Sequence, residues 1–349
     1  MSDIIIHTEE LVKQYGDVTA VDHLNLRIGE GEVFGLLGPN GAGKTTTTLM
    51  LLGLTEPTSG HAWIDGHDCT RESLAVKKEV GYLPDNVGFY PDMTGRENLL
   101  FSGEMNGLSK EAAKSRAVEL LERVGMTYAA DRKTGGYSRG MRQRLGIADV
   151  LMKDPRIIIM DEPTLGIDPA GMQELTHLIR ELSVKDGRTI LISSHELFQI
   201  QEISDRVGIF VGGRMIACGG IEELGAQIES DEKLYQLEIR AEKAGLRREE
   251  AEELLMKLVR GIPDVRAVQR TQTGMIHIDA GSNIEAQLLT VLVGNGFVLR
   301  EMHERGGDLY EIYRKYFEKA GEQNGSTDNR NGNGESQAGF GQKLAGILR

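Results

Sequence analysis

The chain changes its hydrophobic period several times, and each change predicts an element. Residues 1–37 alternate apolar and polar positions and then turn uniformly apolar. Val18 to Ile28 reads as a strand, and Val33-Phe34-Gly35-Leu36-Leu37 as a short one buried on both faces. A helical period runs through 95–125 and another through 139–152. A buried strand from Arg156 to Met160, a helix over 170–184 and a buried strand from Thr189 to Ser193 follow. Short apolar strands alternating with helices predict an α/β fold. Its sheet is mainly parallel and covered on both faces, with the early alternating strands added as an antiparallel edge.

Near residue 220 the pattern changes. Tyr235–Arg240 reads as a strand, and a helix follows with Ala251, Leu254, Leu255, Leu258 and Val259 on one face. Strands over Val265–Thr271 and Met275–Ala280 meet through Thr273-Gly274. A helix (Ile284, Leu288, Leu292), a strand (Phe297–Met302) and a last helix (Leu309, Ile312, Tyr313, Tyr316, Phe317) complete the series. The order βαββαβ plus a closing helix predicts a small ferredoxin-like α+β unit. From Gly321 to about Gln337 the chain is Gly, Asn, Ser and Gln with hardly an apolar residue, which predicts disorder. The final FGQKLAGILR is mildly amphipathic.

Composition narrows the setting. At 349 residues the chain has room for two domains and extras. A net charge of −13 argues against non-specific association with nucleic acid or an anionic lipid surface. The two cysteines, Cys69 and Cys218, have no metal-ligand spacing and fit a reducing compartment. MSDIIIHTEE has no signal-peptide character. No apolar run approaches the roughly 18 residues that span a bilayer. A cytosolic chain is expected, acting on a membrane only through another subunit.

The candidate chemistry begins at Gly38-Pro39-Asn40-Gly41-Ala42-Gly43-Lys44-Thr45, a complete P-loop pattern between a buried strand and a helix. Its glycines let successive backbone N–H groups cradle phosphate oxygens, and the helix start adds a positive dipole end. Lys44 is expected to reach the β- and γ-phosphates of ATP, and Thr45 to give its hydroxyl to Mg²⁺. Thr46, next on the helix, joins the ATP-binding set. A second signal is Arg156-Ile157-Ile158-Ile159-Met160-Asp161-Glu162, an apolar strand ending in two carboxylates that are costly there without a cation. Asp161 is expected to hold Mg²⁺, and Glu162 to orient the attacking water or take its proton. His195, in Ile192-Ser193-Ser194-His195-Glu196, follows another apolar strand at the end where open α/β sheets bind ligands, and is expected to touch the γ-phosphate.

Taken together and in this order, GPNGAGKTT, YSRGM, IIIMDEP, GIDP and SSH resemble the ATP-binding subunit of an ABC transporter over roughly residues 3–220. The resemblance implies an ABC-type ATPase domain over 1–222 with a helical subdomain at about 90–152 and an accessory domain over 223–320; composition adds a disordered tail over 321–349. It implies that Tyr15 stacks on adenine, that Asp161 is the magnesium carboxylate, Glu162 the catalytic base and His195 the switch histidine. Leu165-Gly166-Ile167-Asp168 matches the loop that crosses the dimer interface, which adds Asp168 to the ATP site. The stretch Ser138–Met141 matches the segment that binds the γ-phosphate of ATP held by the other subunit, through Ser138 and Gly140. Arg139 and Met141 depart from the commonest form, LSGGQ, but the YS(K/R)GM variant resembles one exporter branch. That branch also carries accessory domains resembling residues 225–318.

A second departure is Asp85, in Gly81-Tyr82-Leu83-Pro84-Asp85, where the family usually has glutamine. Asp85 is an acceptor-only ligand and joins Thr45 and Asp161 as a candidate for Mg²⁺. Weakened coupling or a shifted metal preference is expected. Asn86 to Glu97 is expected to face the membrane partner. The implied function is ATP hydrolysis by a head-to-tail dimer, expected to be a homodimer, that drives a separate permease, with export favoured and no nucleic acid as partner. A soluble ABC-type ATPase of ribosome or DNA, or a regulatory module that binds ATP without hydrolysing it, are the other readings. Nothing in the residues distinguishes the transported substrate.

Overall fold

The computed structural model describes residues 3–229, 235–271, 275–305, 313 and 316. The chain divides into two compact units, one including residues up to Gly220 and the other beginning at Ile221.

The first unit opens with two long strands, β1 (Ile4–Tyr15) and β2 (Val18–Gly29), joined by a tight turn at Gly16-Asp17. The buried strand β3 (Val33–Leu37) leads through the glycine-rich loop into helix α1 (Lys44–Leu51). Strands β4 (Ser59–Ile64) and β5 (His67–Asp68), helix α2 (Ser73–Glu79) and strand β6 (Val80–Leu83) follow. The chain continues through α3 (Gly95–Met105), α4 (Lys110–Arg123), α5 (Arg139–Leu151), β7 (Ile157–Asp161), α6 (Pro169–Val184) and β8 (Thr189–Ser194). Helix α7 (Leu197–Ile203) and strands β9 (Arg206–Val211) and β10 (Arg214–Gly219) close the unit.

Two sheets result. The antiparallel one runs β2-β1-β4-β5. The main sheet runs β10-β9-β3-β8-β7-β6; its last five strands are parallel and β10 is antiparallel to β9. The central strands β3, β7 and β8 are buried along their whole length, as their unbroken apolar runs demand. One core, including Ile6, Leu26, Phe34, Leu51, Ile64 and Ile159, joins the two sheets.

The helical period over 95–125 resolves into two helices. Asn106 ends α3, Gly107 takes a φ of 90°, and Ser109 starts α4 by accepting the N–H of Ala112. A capping box starts α3: Thr94 Oγ1 accepts from the Glu97 N–H, and Glu97 Oε2 accepts from the Thr94 N–H.

The second unit contains α8 (Ile221–Glu229), β11 (Tyr235–Lys243), α9 (Arg248–Val259), β12 (Val265–Arg270), β13 (Ile276–Ala280), α10 (Glu285–Gly294) and β14 (Phe297–Arg305). Its sheet runs β12-β13-β11-β14, with every pairing antiparallel. Leu237, Ile239 and Ile278 face Leu255, Val259 and Leu288 in a separate core. The expected closing helix and tail lie outside the described residues, apart from Tyr313 and Tyr316.

Candidate active site

Apart from Ser138 and Gly140, the expected phosphate chemistry lies at the C-terminal ends of four parallel strands: β3 leads into the P-loop, β7 ends in Asp161, β8 delivers Ser193, Ser194 and His195, and Asp85 follows β6. Parallel strands point all their carboxyl ends to one edge, so residues far apart in sequence share one cleft. The cleft, of about 520 Å³, is lined by Asn40 to Thr46 along the P-loop and by Asp85, Asp161, Glu162 and His195, with Ala20 and Leu165 on its walls. Its volume lies in the range of small-molecule sites.

Backbone conformation holds the P-loop in place. Gly43 has a φ of +109°, which side-chain-bearing residues rarely adopt, and a Cβ there would sit 2.2 Å from the Ala20 carbonyl oxygen. The helix then starts at Lys44, with its first N–H groups facing the cleft end.

Lys44 is buried at 5% exposure. Its Nζ donates to the carbonyls of Gly38 (2.6 Å) and Pro39 (3.2 Å) and lies 3.5 Å from Glu162 Oε1. Burial lowers its pKa from the ordinary 10.5, against the attraction of Glu162 and then Asp161.

Asp161 is also buried; it accepts from Thr45 Oγ1 at 3.0 Å and from the Ser193 hydroxyl. Glu162 has φ +49°, a left-handed conformation uncommon for a side-chain-bearing residue. Its N–H is anchored on the Ser193 carbonyl at 2.9 Å. Its Oε2 lies 2.8 Å from His195 Nδ1 and 3.3 Å from Ser194 Oγ, which donates to it. The strained turn after β7 thus aims Glu162 across the cleft at Lys44.

Other expected residues stand apart from this lining. Tyr15, at the end of β1, is half exposed, with Lys13 Nζ 4.9 Å from its ring centroid. Ser138 caps α5, its Oγ accepting the Met141 N–H at 3.2 Å, and Gly140 lies in that helix's first turn. Asp168 caps α6, accepting the Gly171 N–H at 3.3 Å ahead of Pro169. Asp85 lines the cleft, but its Oδ1 is 2.5 Å from Arg139 Nη2. Ser193 and Ser194, which bond Asp161 and Glu162, have no role of their own in the motifs read from the sequence as carrying chemistry. Two hydroxyls ending an otherwise apolar buried strand were the available signal, because buried hydroxyls need partners.

A phosphate-cradling loop facing a strained carboxylate defines the class: a P-loop nucleotide hydrolase. The profile described as ABC transporter matches residues 21–165. The bacitracin transport ATP-binding protein BcrA of Bacillus licheniformis is 43% identical over 212 residues, 61% of this chain and 68% of that protein. The linearmycin resistance ATP-binding protein LnrL of Bacillus subtilis (strain 168) is 39% identical over 227 residues, 65% of this chain and 73% of that protein. The daunorubicin resistance ATP-binding protein DrrA3 of Streptomyces coeruleorubidus is 38% identical over 231 residues, 66% of this chain and 73% of that protein. Among solved structures, cbiO1 from Clostridium perfringens, part of the ABC transporter complex cbiONQ, has a TM-score of 0.60 at 29% identity, covering 66% of this chain and 93% of that one. The dimeric post-hydrolysis state of the ATP-binding cassette MJ0796, bound to ADP and Pi, has a TM-score of 0.57 at 25% identity, covering 62% of this chain and 98% of that one. The chain belongs to the ABC transporter family as an ATP-binding subunit, which hydrolyses ATP for transport.

Proposed function

We propose that two copies of this chain close head to tail around two Mg-ATP and drive a separate membrane-spanning permease that exports an antimicrobial compound. The observation that carries the dimer is the position of Ser138 and Gly140. They open α5 with an anion-binding helix start, yet they stand outside the lining of their own chain's cleft. Such a helix start is free to meet the γ-phosphate of ATP held by a second copy, and Asp168 belongs to the same interface. The dimeric structure of MJ0796 supports this reading.

Within each cleft the P-loop backbone from Gly38 to Gly43, with Lys44 and Thr46, holds the triphosphate, and Tyr15 takes adenine. The donor set fits Mg²⁺: Thr45 hydroxyl and Asp161 carboxylate are hard oxygen donors already 3.0 Å apart. Among the described residues no cluster of three or more His, Cys, Asp or Glu side chains is set to hold a metal, so nucleotide phosphates would complete the coordination. When bound, Mg²⁺ supplies positive charge against the phosphate oxygens. Glu162 orients the attacking water and accepts its proton, and Lys44, drawn from the carbonyls of Gly38 and Pro39, stabilises the γ-phosphate charge. His195 holds Glu162 through Nδ1 and turns its other ring nitrogen to the γ-phosphate.

The chain is placed on the cytoplasmic face of the membrane through its permease, with no nucleic acid partner. No helix among the described residues is long and apolar enough to cross a bilayer. The stretch from Asn86 to Glu97 is proposed as the permease contact. The antimicrobial class is supported by the names of BcrA, LnrL and DrrA3. For the C-terminal domain, taken as 223–320 after an ATPase domain of 1–222, the βαββαβ order with strands arranged β12-β13-β11-β14 supports the ferredoxin-like reading.

The test is capture of Glu162→Gln, in the presence of ATP, from detergent-solubilised membranes of its own cell. A multi-span membrane protein recovered in near-equal amount supports the reading. Ribosomal proteins or DNA factors without a membrane partner would overturn it.

A further inference from the structure

Asp85 and Arg139, two of the residues at which the motifs of this chain depart from the commonest form, are bonded to each other. Arg139 Nη2 donates to Asp85 Oδ1 at 2.5 Å, across 54 positions of sequence. The side-chain amide of Gln143, one helical turn along, reaches the Asp85 carbonyl at 3.4 Å. The stem of Arg139 covers Gly166, whose φ is +69° and where an added Cβ would lie 3.1 Å from Arg139 Cδ. Arg139 therefore joins the loop after β6 to the bend that follows Glu162.

The pair is partly exposed, 40% for Arg139 and 49% for Asp85, so it contributes little to folding stability. Its position matters more than its strength. Asp85 lines the phosphate cleft with Asp161 and Glu162, where Lys44 is the one Lys or Arg among the described residues of the lining. A third carboxylate facing a triphosphate would oppose nucleotide binding unless a cation offset it.

We propose that Arg139 is a positioning residue of the ATP site, which neutralises Asp85 and holds it against the Gly166 bend so that the cleft accepts Mg-ATP. The proposal rests on the reading of this cleft as the ATP site. Arg139 and Asp85 then form one functional unit: arginine in the YSRGM segment is what makes aspartate tolerable after β6.

The experiment is titration of a fluorescent ATP analogue into the whole chain, followed by anisotropy, for four proteins: unsubstituted, Arg139→Gln, Asp85→Asn and the double variant. Arg139→Gln is expected to weaken Mg-ATP binding about threefold to tenfold, and by less than about twofold when Asp85→Asn is already present. The defect of Arg139→Gln should grow when EDTA removes Mg²⁺, because free ATP is more negative, and shrink as salt is raised. A merely structural role would move neither dependence. The same loss in both backgrounds, or no loss in either, would overturn the proposal. If the unsubstituted chain bound no nucleotide, the reading of the cleft itself would fall, and this proposal with it.

Discussion

His195 and Glu162 are joined by a 2.8 Å hydrogen bond between the imidazole Nδ1 and Glu162 Oε2. An ionised Glu162 can only accept, so His195 Nδ1 is the donor of this bond. His195→Ala leaves Glu162 with Ser194 and Lys44 alone, and hydrolysis should fall by about 100-fold, with ATP affinity changed far less. His195→Asn keeps a donor near the Nδ1 position and should retain more activity than the alanine variant. Equal rates for the two in a phosphate-release assay would mean that the Glu162 bond is not what His195 contributes.

Ser138 separates two roles that one substitution would blur. Ser138→Ala removes the acceptor for the Met141 N–H and should destabilise the chain by about 1 kcal/mol. Ser138→Asp keeps the cap and favours the helix dipole, so its melting temperature should stay near that of the unsubstituted protein. If Ser138 meets a phosphate across a dimer, the aspartate variant should nonetheless lose most of its ATPase activity. Thermal melting and phosphate release on the same samples decide this. An active aspartate variant would remove Ser138 from the phosphate contact.

Lys44 carries a pH signature. Its pKa in the folded chain lies below 10.5 because burial disfavours the charged form. Between the lowered pKa and 10.5 the unfolded chain therefore binds more protons than the folded one, and stability gains a contribution that rises with pH. Lys44→Met lacks that contribution and should also abolish nucleotide binding. Denaturant titrations in nucleotide-free buffer should show the unsubstituted chain gaining on Lys44→Met as pH climbs toward 10.5. A difference that stays constant over that window would contradict the buried, charged Lys44 described above.

The legibility of this chain followed the range of the interactions involved. The P-loop and the Ile157–Met160 run before Asp161 were readable because each is a local pattern with one physical purpose. The strands β3, β7 and β8 were readable for the same reason, since burial on both faces leaves an unbroken apolar signature. By contrast β6, of only four residues, and β10, whose residues are mostly half-buried, carry no clear period. The division of 95–125 turned on Asn106-Gly107, a local signal outweighed by the helical period on either side. The Asp85–Arg139 bond was out of reach of any window, since it depends on the packing of α5 beside the end of β6. Each residue could be seen to be unusual, but not that each answers the other.

The central claim is that this cleft hydrolyses ATP with Glu162 as its proton acceptor. The most direct measurement is release of the γ-phosphate from ATP by the purified chain and by Glu162→Gln, with ATP binding measured in parallel. The account predicts that the glutamine variant binds ATP at least as tightly and releases phosphate at least about 100-fold more slowly. Phosphate release by Glu162→Gln at the unsubstituted rate would contradict it.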